Sequence, residues 1–377
     1  MLKKCLLLFV PVILFSHQLP QEEKREEMPP ITPAAGPLPN HQVDVVLDVE
    51  FLYWYATTTN LSYATKYVVT EQGNTLDPAA RIISPEKIYE PSWSWNPGMR
   101  VGLGVVIDHD GWNIHADWTY TYNSTSNAQS VAPFPINNLT NQQNIAGTEA
   151  LASPWFIEGT NINFTRISSI WSLLLHQIDL ELGRKFWVSP HLALRPFGGL
   201  RGHWSRMFSN IRGIFEGSDL GNHPRLLQET ARRTQDYWAV GFVGGLESAW
   251  HLARNWSIFI DWAFSLVYGP FDVQSRFRSA GVNTNNQVVS NFSVSFNHDD
   301  IYTLQPIYDL ALGLRWELPI YDSAYRVCFD MGWENHLYPS FNHLDLNTSA
   351  SDNGGTFLPA GGDLTLSGLV LRGRFEF

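Results

Sequence analysis

Along most of this chain apolar and polar residues take turns. From Val43 onward the alternation has period two and persists for runs of 8 to 14 residues, the mark of β-strands whose two faces meet different surroundings. The clearest run is Trp112 to Tyr122. Trp112, Ile114, Ala116, Trp118, Tyr120 and Tyr122 share one face, while Asn113, His115, Asp117, Thr119 and Thr121 share the other. In the same way Leu47, Val49, Phe51, Tyr53 and Tyr55 oppose Asp44, Asp48 and Glu50, and Ile258, Ile260, Trp262, Phe264 and Leu266 oppose Ser257, Asp261, Ala263 and Ser265. A soluble sheet with faces this aromatic needs a second layer to cover them. In a bilayer such faces meet lipid, with Trp and Tyr at the interfaces, and the run lengths suit the roughly 9–11 residues of a tilted membrane strand.

The connections carry a second regularity. Short turns at 108–111, 184–190, 251–255 and 318–323 alternate with long polar stretches at 123–168, 205–235, 271–303 and 339–362. Short periplasmic turns and longer external loops alternate in this manner in outer-membrane barrels. The walk gives ten strands, at 43–56, 99–107, 112–122, 169–183, 191–204, 237–250, 256–269, 304–317, 324–336 and 363–377, with both termini periplasmic. Leu61–Val69, 82–90 and Asn291–Phe296 are further short candidates. The predicted fold is therefore an all-β, antiparallel up-and-down transmembrane barrel of about 10–16 strands. Its last strand puts Leu369, Leu371, Phe375 and the final Phe377 on one face. An amphipathic closing strand that ends on an aromatic resembles the signal read by the outer-membrane assembly machinery, an expected partner beside the lipid bilayer and lipopolysaccharide.

Composition agrees. Charged residues are 16% of the chain and aromatics 14%, with 15 Trp, yet mean hydropathy is only -0.15, because a barrel wall is apolar on alternate residues alone. Lys3 and Lys4 followed by the apolar run Cys5–Phe15 read as a signal peptide over 1–18, cleaved between 16 and 22. Residues 19–42, with the charge run Gln21–Glu27 and Pro29, Pro30, Pro33, Pro37 and Pro39, read as a disordered arm or a periplasmic tether, and 43–377 as the barrel. Cys5 and Cys328 are the only cysteines, so the mature chain has no internal disulfide and no cysteine zinc site. The net charge of -11 argues against nucleic acid and against attraction to anionic lipid by bulk charge.

Several ordered segments resemble the Legionella-type major outer membrane proteins and the similar proteins of chlamydia-related bacteria. They are Glu50–Ala56 (EFLYWYA) with Tyr63-Ala64, then Trp95–Gly104 (WNPGMRVGLG), the turn His109–Trp112, Leu194–Arg201 (LRPFGGLR), Leu266–Gly269 and Gly332–Glu334. The resemblance runs over most of 43–377 and leaves the long loops unmatched. It implies a pore-forming outer-membrane protein, a porin for small hydrophilic solutes, with a homo-oligomer as a further expectation. A chain with one mature cysteine departs from the cysteine-rich, cross-linked chlamydial porins.

For a pore the relevant groups are inward charges. Alternation turns Asp44, Asp48, Glu50, Asp117, Asp179, Glu181, Glu247, Asp261, Asp309, Glu317, Asp330, Glu334 and Glu376 to the lumen, against Arg100, Arg195, Arg201, Arg315, Arg326, Arg372 and Arg374. Thirteen acids facing seven arginines predict a weak cation preference. Asp179 and Glu181 lie on a strand next to the one carrying Arg195 and Arg201. Either they form a constriction with a transverse field, or they pair and brace the wall. Loop 123–168 is free to fold inward and narrow the pore, though nothing in its residues compels this. Catalysis has little to stand on: there is no G-x-S-x-G, no H-E-x-x-H and no metal-ligand spacing among the His residues, and the best candidate, Asn297-His298-Asp299-Asp300, sets a His beside two carboxylates in a polar stretch. No cofactor is expected. The competing reading is a closed surface barrel, an adhesin or structural protein that works through its loops.

Overall fold

A backbone group facing hydrocarbon finds no partner there, so a sheet that crosses a bilayer must pair every strand, edge to edge, until it closes. The computed structural model describes residues 43–69, 83–107, 111–132, 149–156, 164–216, 226–253, 255–282, 287–320, 325–347 and 357–377. The predicted signal segment and arm, and parts of several turns and loops, lie outside them. Ten strands close the ring: β1 (Val43–Thr58), β4 (Trp95–Ile107), β5 (Trp112–Ser130), β7 (Arg166–Arg184), β9 (Leu192–Glu216), β10 (Leu226–Ala253), β11 (Trp256–Val282), β12 (Val288–Ile320), β13 (Tyr325–Tyr338) and β16 (Leu364–Glu376). Each pairs antiparallel with the next, and β16 returns to β1 from Val46↔Glu376 to Thr58↔Leu364. The short β8 (Phe186–Ser189) pairs with the start of β9. Outside the ring, β2 (Ala64–Val69), β3 (Ile83–Tyr89) and β6 (Glu149–Ala152) make a small sheet, and β14 (Asp345–Asn347) pairs with β15 (Phe357–Pro359).

Across the membrane the two faces are those the alternation predicts. Val49 and Phe242 are 63% and 74% exposed to the outside, while Asp48 and Glu50 on the inner face are 1% and 2% exposed. Trp112, Trp250 and Trp256 mark the short-turn end of the outer belt, and Trp204, Trp238, Tyr268 and Tyr302 mark the far end. Aromatic girdles at the two lipid–water interfaces account for both rings.

Beyond the far girdle the pattern inverts. On β9 Met207 and Ile211 turn inward and are buried while Arg206 and Arg212 are exposed; on β11 Phe271, Val273 and Phe277 turn inward while Arg276 and Arg278 are exposed. The strands have left the lipid and now behave like a soluble sheet, apolar inside and polar outside. This corrects two sequence expectations. The polar stretches 205–235 and 271–303 are mostly not loops: β9 continues to Glu216 and β10 begins at Leu226, while β11 continues to Val282 and β12 begins at Val288. Asn291–Phe296 is part of β12, and Leu61–Val69 and 82–90 supply β2 and β3 of the external sheet, so none of them adds a strand to the barrel.

Phe242 lies on the outer face of β10, between Trp238 and Trp250. Phe242→Arg is expected to lower the folding free energy in phospholipid vesicles by about 2–4 kcal/mol, read from reversible urea titrations, whereas Phe242→Leu leaves it nearly unchanged.

Candidate functional site

The lumen has two tiers. The lower one, toward the short turns, is polar because its wall positions face neither lipid nor an apolar partner. Glu50 on β1 accepts from Arg100 on β4 at 2.6 Å and from Arg372 on β16 at 2.5 Å. Arg100 reaches past two strands to Glu334 on β13 at 3.0 Å. Arg374 binds Asp48 at 2.6 Å, and Arg315 binds both oxygens of Asp330 at 2.8 and 2.9 Å. Asp179 receives two bonds from Arg201, at 2.7 and 2.9 Å, and the same guanidinium crosses to Asp309 on β12 at 2.6 Å. Arg195 joins Glu181 at 3.0 Å, Glu247, and Asn113 on β5. Bidentate geometry and several donors per carboxylate are what make charges tolerable in so buried a place.

A cavity of about 210 Å³ lies among these groups. It is lined by Asp48, Glu50, Asp117, Asp179, Glu181, Arg195, Arg201, Asp261, Asp309, Arg315 and Arg326, whereas Asp330 sits in the wall behind it, bound to Arg315. Of the two readings for Asp179, Glu181, Arg195 and Arg201, the geometry is that of pairing across the wall. Three inward basic side chains also belong to the tier. His115 lies 3.2 Å from Asp48 and 3.1 Å from Asp117, His336 lies 2.7 Å from Asp309, and Lys185 lines the cavity. His115 and His336 have the inward parity, so alternation marks them; Lys185 follows the end of β7, where the pattern stops.

The upper tier is apolar and fills the bore. Leu52 and Trp54 from β1, Trp171 and Leu173 from β7, Met207 from β9, Tyr237 from β10, Phe271 from β11, Ile307 from β12, Tyr338 from β13 and Leu366 from β16 are all nearly fully buried. These strands come from all round the ring, and their side chains belong to one cluster. Tyr338 on β13 donates to Gln177 on β7, on the opposite side of the barrel, at 3.4 Å. Chain from outside the wall completes the packing: Leu61 and Tyr63 after β1, Trp155 and Phe156 after β6, and Phe341 and Leu344 after β13. The described part of loop 123–168 outside β5 and β7 therefore does fold inward. Sequence reasoning did not foresee this tier, yet it left a trace. In Phe51–Tyr55 every position is apolar or aromatic, so both faces of β1 are covered there.

Arg233, outside the membrane on the upper part of β10, fastens this packing. It is 4% exposed, sits 4.8 Å over the Trp155 ring, and donates to the carbonyls of Asp345 at 2.6 Å and Trp155 at 2.9 Å. Burial pulls its pKa down to about 10, against the opposing pull of the Asp345 carboxylate. It therefore remains charged at neutral pH, and its ties run to the two inward-folded segments.

His298, from the one sequence cluster that hinted at catalysis, is 3.8 Å from Asp345 and half exposed. Among the described residues no group of three metal-binding side chains forms. Cys328 is buried beside Asp330 at 3.2 Å.

A closed antiparallel barrel with a lipid-facing aromatic belt and a charged bore is an outer-membrane protein. The chain belongs to the family of the Legionella pneumophila major outer membrane protein precursor, whose pattern matches residues 37–377. No curated protein matches it. Similar solved structures include the outer membrane protease OmpT from Escherichia coli, with 10% identity over 89% of this chain and 96% of that one and a TM-score of 0.33. A FadL homologue of Pseudomonas aeruginosa has 10% identity, 89% and 90% coverage and a TM-score of 0.24, and the Pseudomonas putida toluene transporter TodX has 10%, 91%, 92% and 0.23.

Removing one partner from a buried ion network strands the others. Arg201→Met is expected to cost about 3–5 kcal/mol, while Arg206→Met, which breaks the exposed pair with Asp236, costs less than about 1 kcal/mol. Urea midpoints of the two refolded variants check the contrast. Cys328 is expected to resist maleimide in the folded barrel and to react once it is unfolded.

Proposed function

We propose that this protein serves the outer membrane as a closed barrel, its lumen acting as a structural core and its external half as the working surface, and not as a standing open pore. The observation that carries this reading is the cross-lumen contact of Tyr338 with Gln177 inside a continuous apolar cluster. Strand number supports it. About eight strands enclose a bore that side chains fill, whereas roughly 16–18 leave an aqueous channel, and ten stand near the filled end. What remains for function is the external sheet and the strands that rise above the girdle, which suits a structural or adhesive role and no enzymatic one.

One observation favours the porin reading, in which small hydrophilic solutes pass with a weak cation preference. The charged cavity beneath the apolar tier is already polar and roomy enough for several waters. Conduction then requires the inward-folded segments to leave the bore, and Arg233 is what ties two of them down.

Planar-bilayer recording with the refolded full chain separates the two. The expected result is a heat-modifiable barrel that inserts without current steps. Stable, cation-preferring steps from the wild-type protein would replace the closed reading with the porin. Steps that arise only in Arg233→Met would identify a channel held shut.

A further inference from the structure

The outer wall above the far girdle carries a concentration of positive charge that the net charge of -11 conceals. Arg166 on β7, Arg212 on β9, Arg232 on β10, and Arg276 and Arg278 on β11 are all exposed and point outward from adjacent strands. The registers place them together. Arg232 stands directly opposite Arg276, Thr230 lies between Arg212 and Arg278, and Arg212 faces Ser168, two positions from Arg166. The nearest described outward positions are neutral, among them Asn210, Gln228, Thr234 and Gln274, and the acids Asp236 and Asp272 stand two outward positions nearer the girdle, Asp236 paired with Arg206. Arg212 donates to Gln228 at 2.7 Å and Arg232 sits 4.9 Å over the Phe208 ring. Among the described residues none of the five makes an ion pair. Like charges directly opposite on one face of a sheet destabilise it, so a pairing such as Arg232 with Arg276 calls for an anion from outside the chain.

Position identifies the anion. The patch is on the side of the barrel and not at its mouth, so the bodies beside it are the molecules of the surrounding outer leaflet. Six residues of β10 separate Arg232 from Trp238 in the girdle. At about 3.4 Å per residue that is roughly 20 Å along the strand, or on the order of 15 Å above the interface at a tilt of about 35–45°. This height is beyond the acyl chains and the girdle, in the saccharide layer. We propose that these five arginines form a lateral docking site for the phosphate and carboxylate groups of the inner core of lipopolysaccharide. A guanidinium fork matches such oxyanions in two-point hydrogen bonds, and several forks on a rigid sheet engage several anionic groups of one molecule at once. The site is independent of whether the lumen conducts.

The test uses the refolded full chain and the triple variant Arg232→Gln, Arg276→Gln, Arg278→Gln, with heat-modifiable migration verifying the barrel. Binding is measured to three probes: lipopolysaccharide carrying an inner core, lipid A without it, and inorganic phosphate. The wild type is expected to favour the core-bearing molecule over lipid A by about tenfold, and the folded variant to lose that preference, as the removal of charge-assisted bonds predicts. Arg206→Gln, whose partner is Asp236, is expected to keep it. Equal binding by wild type and triple variant would overturn the proposal. A wild type that does not distinguish core-bearing lipopolysaccharide from lipid A overturns it as well, and binding of inorganic phosphate as tight as that of the core-bearing molecule reduces the patch to a simple anion site.

Discussion

The structure depends on one constraint: hydrocarbon offers the peptide group nothing to bond. Every strand in the membrane must have two neighbours, which the closure of β16 on β1 provides. Once the ring is closed at ten strands, its bore is set, and inward side chains meet one another and the chain folded in from outside the wall. The lower tier solves this with dense ion pairing and the upper tier with aromatic packing. Both are answers to the same narrow circumference, and neither would survive in a wide barrel flooded with water.

The two tiers differ in how they respond to perturbation. Apolar packing is non-directional and tolerates small shifts, whereas the paired tier is a web in which Arg100, Arg201 and Arg372 each serve carboxylates on different strands. Such a web fixes register, because a slip of one residue turns every charge toward lipid. The charged tier thus brings specificity more than net stability, as buried ion pairs do when pairing only offsets the loss of water.

Most of the ring was legible from the sequence, and the reason is physical. Lipid enforces strict alternation, so the ten membrane segments announced themselves, with their inward charges on the correct face. What misled was the water above. There the outside of the wall is polar and the inside apolar, so on β9 the run from Trp204 to Arg212 changes its phase of hydrophobicity without changing its geometry. A reading tuned to lipid-facing aromatics takes that change for a loop. The partners of individual charges were not legible either. Arg201 meets Asp309 across two intervening strands and Tyr338 meets Gln177 across the bore, distances that only the closed ring brings together.

The strands do not rise evenly. β9 to β12 run for 25, 28, 27 and 33 residues, whereas β13, β16 and β4 have 14, 13 and 13 and β1 has 16. The barrel is therefore cut obliquely, like the nib of a quill, with a high back and a low front. A body approaching from outside the cell meets the raised back first, while at the front the described chain after β1 and β13 covers the entrance. The molecule has a facing direction within the plane of the membrane, and neighbouring copies that share a heading would present a shingled surface and not a level one.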